Sequence, residues 1–226
     1  MKKITKLARL SGLALANGIS LHKNSVILFN NKSFPASLAL SILAQEEIGK
    51  AFLLQEYCYH YDLGEIGSMG EFEKEMPSLM TNHRYKQGWL SYEIGDYLDH
   101  SDKKRFPVFI RDIINGNLDT VKQNAIYVGL EMINKKKSLD GKIINPKSVI
   151  KREYVIKHIT RLNDWLIELS EGCRRGASSV DTFEMDRLLS IDLVNELEKV
   201  WQHKSKESIV KLDRLREIEI DEECAI

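Results

Sequence analysis

Apolar residues recur at threes and fours along nearly the whole chain, and only Pro35, Pro77, Pro107 and Pro146 interrupt them. That is the period of a helix, whereas strands alternate in twos, so the pattern restricts the chain to an all-α fold. The expected architecture is a bundle of about six to eight helices with long antiparallel members at its core. A chain of 226 residues can bury such a core without covalent staples. Cys58, Cys173 and Cys224 are odd in number and far apart, which fits neither a disulfide framework nor a Cys-rich zinc site. The 33 basic and 33 acidic residues cancel, which argues against bulk electrostatic coating of nucleic acid and leaves a local basic groove open.

The first segment places Leu7, Ser11, Ala14, Gly18, Leu21, Ser25 and Leu28 on one face, and its small members allow another helix to come close. Pro35 opens a second helix to about Tyr61, apolar nearly all round in its first half and therefore central. Gly64, Gly67 and Gly70 mark a loose connection. Further helices are expected near Pro77–Tyr97, Phe106–Ile114, Asp119–Asn134 and Pro146–Glu171, with a hairpin-like excursion over Lys135–Gly141. Asp181 and Glu184 form a capping box for a helix reaching about Lys204. Residues 1–204 read as a single helical domain whose one suggested internal boundary falls near 135–146. Residues 205–226 read as a charged C-terminal helix or tail. The most apolar stretch, Ala36–Leu54, contains Glu46, Glu47 and Lys50, so no membrane span is expected. Arg9, Asn17, His22 and Lys23 interrupt any signal peptide, and the expected location is cytoplasmic.

Polar residues that break into apolar faces are the candidates for function. In the second helix Ala36, Ala39, Leu40, Leu43, Glu47, Lys50, Ala51 and Leu54 share a stripe, with Glu46 beside it and i,i+4 from Lys50. Buried charges of this kind must be paired, so a structural ion pair is the plain reading. The third helix repeats the pattern, with His83 and Lys86 in phase with Leu79, Leu90 and Tyr97. If the two helices face each other, Glu46, Glu47, Lys50, His83 and Lys86 converge. Lysines would hold phosphate, and an imidazole beside a carboxylate can move protons near neutral pH. The same composition also serves a buried network that fixes helix register.

These residues resemble a known family. The run Ala39-Leu40-Ser41-Ile42-Leu43-Ala44-Gln45-Glu46-Glu47-Ile48-Gly49-Lys50-Ala51 is similar to the signature of AbiV-type abortive-infection proteins. His83-x-x-Lys86, Ala125-Ile126-Tyr127-Val128 and Pro146 follow in the family's order, so the resemblance covers about Leu7 to Leu169. It implies a HEPN-like helical fold, homodimerisation, and a role in phage-infected cells, where such proteins shut down growth, many of them as ribonucleases. RNA would be the substrate, a phage-encoded protein the activator, and no metal or other cofactor is implied. Carried over, the family's polar motif is Glu46, Glu47, Lys50, His83 and Lys86. An acidic residue often follows the Ile-Tyr-Val segment, whereas here Gly129 does, which leaves Tyr127 a packing role.

HEPN ribonucleases are usually recognised by an Arg and a His a few residues apart, and Arg152 with His158 is such a match. The Arg would bind phosphate and the His transfer a proton, but on a regular helix the two point about 120° apart. Both clusters therefore stand as candidate sites. No Glu-x-x-His occurs, so a di-iron bundle lacks its ligands, and no phosphate-binding glycine loop is present. Two functions remain open: a metal-independent endoribonuclease that arrests growth or translation in infected cells, or a non-catalytic sensor or effector that binds a phage protein or translation component.

Overall fold

The computed structural model describes residues 3–62, 69–88, 115–130, 132–133, 136–137, 139–174 and 183–203. It has the expected all-α architecture. Helices α1 (Lys3–Asn30) and α2 (Phe34–Asp62) form a long antiparallel hairpin. Its turn is three residues long, and Lys32 takes a left-handed conformation (φ 61) there. The amides of Lys32 and Ser33 then return to the carbonyls of Phe29 and Leu28, which satisfies the end of α1.

The small residues of α1 bring the two helices together. Ser11, Ala14, Gly18 and Ser25 are all buried. A Cβ on Gly18 would lie 2.6 Å from Ile48 Cγ1 and 3.1 Å from the Ala44 carbonyl oxygen, so α2 occupies the space a side chain would need. Serine hydroxyls then bond across the seam, Ser11 Oγ to the Ala51 carbonyl at 2.8 Å and Ser37 Oγ to the Ser25 carbonyl at 2.7 Å.

The remaining described helices are α3 (Met69–Thr81), a helical run over 83–88, α4 (Asn117–Ile126), α5 (Pro146–Val149), α6 (Arg152–Arg174), α7 (Phe183–Leu188) and α8 (Ile191–Val200). One apolar core joins Leu15, Ile19, Ile48 and Phe52 of the hairpin to Leu162 and Leu166 of α6 and to Met185, Leu193 and Leu197. A second joins Val26, Phe29, Leu38 and Ile42 to Leu118, Val155, Ile159 and Trp201. Trp165 and Trp201 are both buried in these cores. Cys58 is buried and forms no disulfide with another described residue.

Four boundaries differ from the sequence expectation. Pro77 does not open the third helix; it lies inside α3, and Asn82 starts a new helical run by accepting the Tyr85 amide at 3.2 Å on its side chain. The helix expected over Asp119–Asn134 stops at Ile126, because Tyr127 turns extended (φ −112, ψ 140) at the head of an aromatic and β-branched pair. The chain continues as β1 (Gly129–Leu130), β2 (Met132–Ile133), β3 (Lys136–Lys137) and β4 (Ile143–Ile144), with β1 antiparallel to β4 and β2 antiparallel to β3. This ribbon contains the expected hairpin-like excursion, and Tyr127 and Val128 stand exposed at its base instead of packing. Pro146 starts a helix as expected, capped by Asn145, but extended Ile150 breaks it by dropping into the second core. The helix expected from Asp181 to about Lys204 is likewise split, with Ser190 capping α8. The helix expected at Phe106–Ile114 and the tail 205–226 lie outside the described residues.

Candidate functional site

Three elements converge on one buried carboxylate. Glu46 sits midway along α2 and is only 2% exposed. The run 83–88 supplies His83, Lys86 and Gln87, and α4 supplies Asp119 and Lys122. Gly116, left-handed at φ 73, starts α4 closely against the Arg84 guanidinium, which sets the approach of α4 to the 83–88 run.

Both oxygens of Glu46 are engaged. Its Oε1 accepts Lys122 Nζ at 2.7 Å and Gln87 Nε2 at 2.7 Å, while Oε2 lies 2.8 Å from His83 Nδ1. A carboxylate accepts and does not donate, so the 2.8 Å contact puts the proton on His83 Nδ1 and leaves Nε2 as the free lone pair. The His83 side chain is 49% exposed. Lys122 Nζ also lies 3.0 Å from Asp119 Oδ1 and 3.4 Å from His83 Nδ1. Gln45 Nε2 donates to the Gln87 carbonyl at 3.0 Å and fixes the 83–88 backbone against α2.

The cations differ in their footing. Burial pulls the Lys122 ammonium down, but its hydrogen bonds to Glu46 and Asp119 outweigh that and hold its pKa above the usual lysine value. Burial pulls Lys86 below its usual value, and the field of Glu46 only partly compensates against that of Lys50 and Lys122. The Lys86 ammonium donates to the Met80 carbonyl at 3.0 Å.

Of the residues singled out in the sequence, Glu46, His83 and Lys86 do meet. Glu47 and Lys50 pair with each other (2.5 and 2.6 Å), and Glu47 also accepts from Asn17 Nδ2 of α1 at 3.1 Å. Their side chains are 21% and 15% exposed, whereas Glu46, placed beside the stripe by periodicity, is the one fully enclosed. A helix buried nearly all round gives periodicity no phase to report. The sequence reading missed Asp119, Lys122 and Gln87. Lys122 did carry a signal: it stands between Leu118 and Ala125 on the buried face of α4, where an apolar residue belongs.

Arg152 and His158 lie apart. Arg152 is exposed, with its guanidinium 5.4 Å from the centre of the Phe29 ring. His158 is buried between helices, its Nδ1 2.9 Å from Ser41 Oγ and its Nε2 without a hydrogen-bond partner among the described residues. Burial, with the charges of Arg161 and His22, lowers the pKa of His158 to about 3, so it stays neutral. No hydrogen bond or ion pair joins Arg152 to His158 among the described residues.

Glu46, His83 and Asp119 could in principle hold a metal ion, since a ligand atom from each lies within 4.8 Å of the others. The Lys122 ammonium occupies their midst. No described helix is long and apolar enough to cross a membrane.

Comparison with curated proteins and with solved structures gives no match. The family model HEPN_AbiV, described as AbiV, matches residues 6–167, well over half of the chain and all of the residues just described. The chain belongs to the AbiV family of HEPN proteins, a family of abortive-infection proteins acting in phage defence.

Proposed function

We propose that this protein arrests growth or translation in infected cells as a metal-independent endoribonuclease centred on His83. The observation that carries the reading is the buried Glu46 carboxylate 2.8 Å from His83 Nδ1, beneath a ring that is 49% exposed. A carboxylate so placed fixes the tautomer and stabilises the imidazolium that forms when Nε2 takes a proton. On RNA, Nε2 removes the proton of a ribose 2′-hydroxyl. The 2′-oxygen then bonds to the adjacent phosphorus, and the bond from phosphorus to the 5′-oxygen breaks. In this reading Lys86, one helical turn on and made more acidic by burial, returns a proton to the leaving oxygen. His158 is the weaker candidate, because an imidazole with a pKa near 3 takes up almost no proton at neutral pH.

A homodimer and a phage-encoded activator belong to this reading. The non-catalytic alternative, in which the bundle binds a phage protein or a translation component, has its own support in the exposed Tyr127, Val128, Leu139 and Ile143 of the ribbon. Mapping new RNA 5′ ends in infected cells that express wild type, His83→Gln or His158→Gln separates them. Cuts that vanish only with His83→Gln are expected. Cuts that persist in His83→Gln overturn the assignment, and growth arrest without new cuts favours the binding alternative.

A further inference from the structure

An imidazole and two carboxylates brought together from three elements are the donor set of a divalent transition-metal site with an open position. Here the atoms belong to Glu46, His83 and Asp119 and lie within 4.8 Å of one another. The cation among them is part of the chain: Lys122 Nζ stands 2.7 Å from Glu46, 3.0 Å from Asp119 and 3.4 Å from His83 Nδ1. Its side chain is only 4% exposed, so the ammonium is held among them inside the fold. Its distances to the two carboxylates, 2.7 and 3.0 Å, are those of hydrogen bonds to an ammonium, and not the roughly 2.0–2.2 Å of oxygen on zinc.

We propose that Lys122 is a tethered cation in the place of a metal, so that the wild-type site excludes divalent ions and removal of the Lys122 side chain opens it to one. Two positive charges cannot share a buried space of this size, because their repulsion grows as water is removed. The lysine supplies the counter-charge that Glu46 needs without depending on a metal from the cell. It also leaves His83 Nδ1 bonded to a carboxylate rather than to a metal, with Nε2 outside that contact. Only this last consequence rests on the ribonuclease reading, where it makes Lys122 a positioning residue.

The test uses the full chain as wild type, Lys122→Ala and Lys122→Ala/His83→Ala, titrated with Co²⁺ and followed by its ligand-field absorption and by calorimetry. Lys122→Ala should bind one Co²⁺ at least about tenfold more tightly than wild type. The double variant should lose that gain, and Zn²⁺ should displace the Co²⁺. Equal binding by wild type and Lys122→Ala overturns the proposal, as does no binding by Lys122→Ala. Should Lys122→Ala unfold, Zn²⁺ must restore its helical circular dichroism, and that of Lys122→Ser. If neither variant refolds with the ion, a metal cannot replace the ammonium and the proposal fails. None of these readouts involves RNA, so they stand whether or not His83 cuts it.

Discussion

Two histidine-bearing clusters lie on opposite flanks of α2, and they are built in opposite ways. At Glu46 the group at the centre is a charge, fully paired by Lys122, Gln87 and His83, and the imidazole at its edge reaches accessible space. Between α1, α2 and α6 the groups are neutral and enclosed: His22 Nε2 faces Asn163 Oδ1 at 3.3 Å, and His158 Nδ1 faces Ser41 Oγ at 2.9 Å. Here the second nitrogen of each ring, His22 Nδ1 and His158 Nε2, has no hydrogen-bond partner among the described residues. The first cluster is charged and paired at the edge of the fold, while the second is a cost the fold carries in its core. Residue type is the same in both; the partner and the access to water decide the role.

The largest effect expected is on the charged cluster. Glu46→Ala leaves Lys122 buried without its main partner and should cost about 3–5 kcal/mol in urea unfolding. The pair Glu46→Gln with Lys122→Met should recover most of that loss. A single substitution costing under about 1 kcal/mol would show that water already reaches these groups.

The buried histidines give the next effect, read against pH. Burial lowers His22 to about 4 and His158 to about 3 in the fold, from 6.5. The unfolded chain therefore takes up protons first as the pH falls, so their contribution is whole above about pH 6.5. It is lost progressively down to pH 3–4, with a slope of up to two protons. His158→Leu should roughly halve that slope when unfolding free energy is measured from pH 4.5 to 7.5. An unchanged slope would mean that His158 is not buried neutral. The smallest effect belongs to the half-open pair Glu47–Lys50, where Lys50→Met should change stability by no more than about 1 kcal/mol in the same urea assay. A larger loss would place that pair within the Glu46 network.

Much of this was legible in the sequence. The helical period, the small-residue face of α1, the starts at Pro35 and Pro146, and the polar residues Glu46, His83 and Lys86 all read directly. Asn82, a capping residue type, held the signal for the break that Pro77 wrongly suggested. The ribbon after Ile126 was hidden because a short apolar run fits both periods, and pairing with Ile143 and Ile144 decides between them. Arg152 and His158 matched a spacing, but spacing along a helix does not say which face is buried.

The sequence by itself determined the all-α class and the two helix segments that carry the polar motif, because periodicity and caps are local properties of the chain. It could not determine that Glu46, and not Glu47, is the enclosed carboxylate, nor that Lys122 arrives from 76 residues away to neutralise it. Those facts depend on which face α2 turns toward α4, and α2 is too uniformly apolar to encode that choice in its own pattern. Tertiary packing makes the choice, because a buried carboxylate is stable only where an opposite charge meets it.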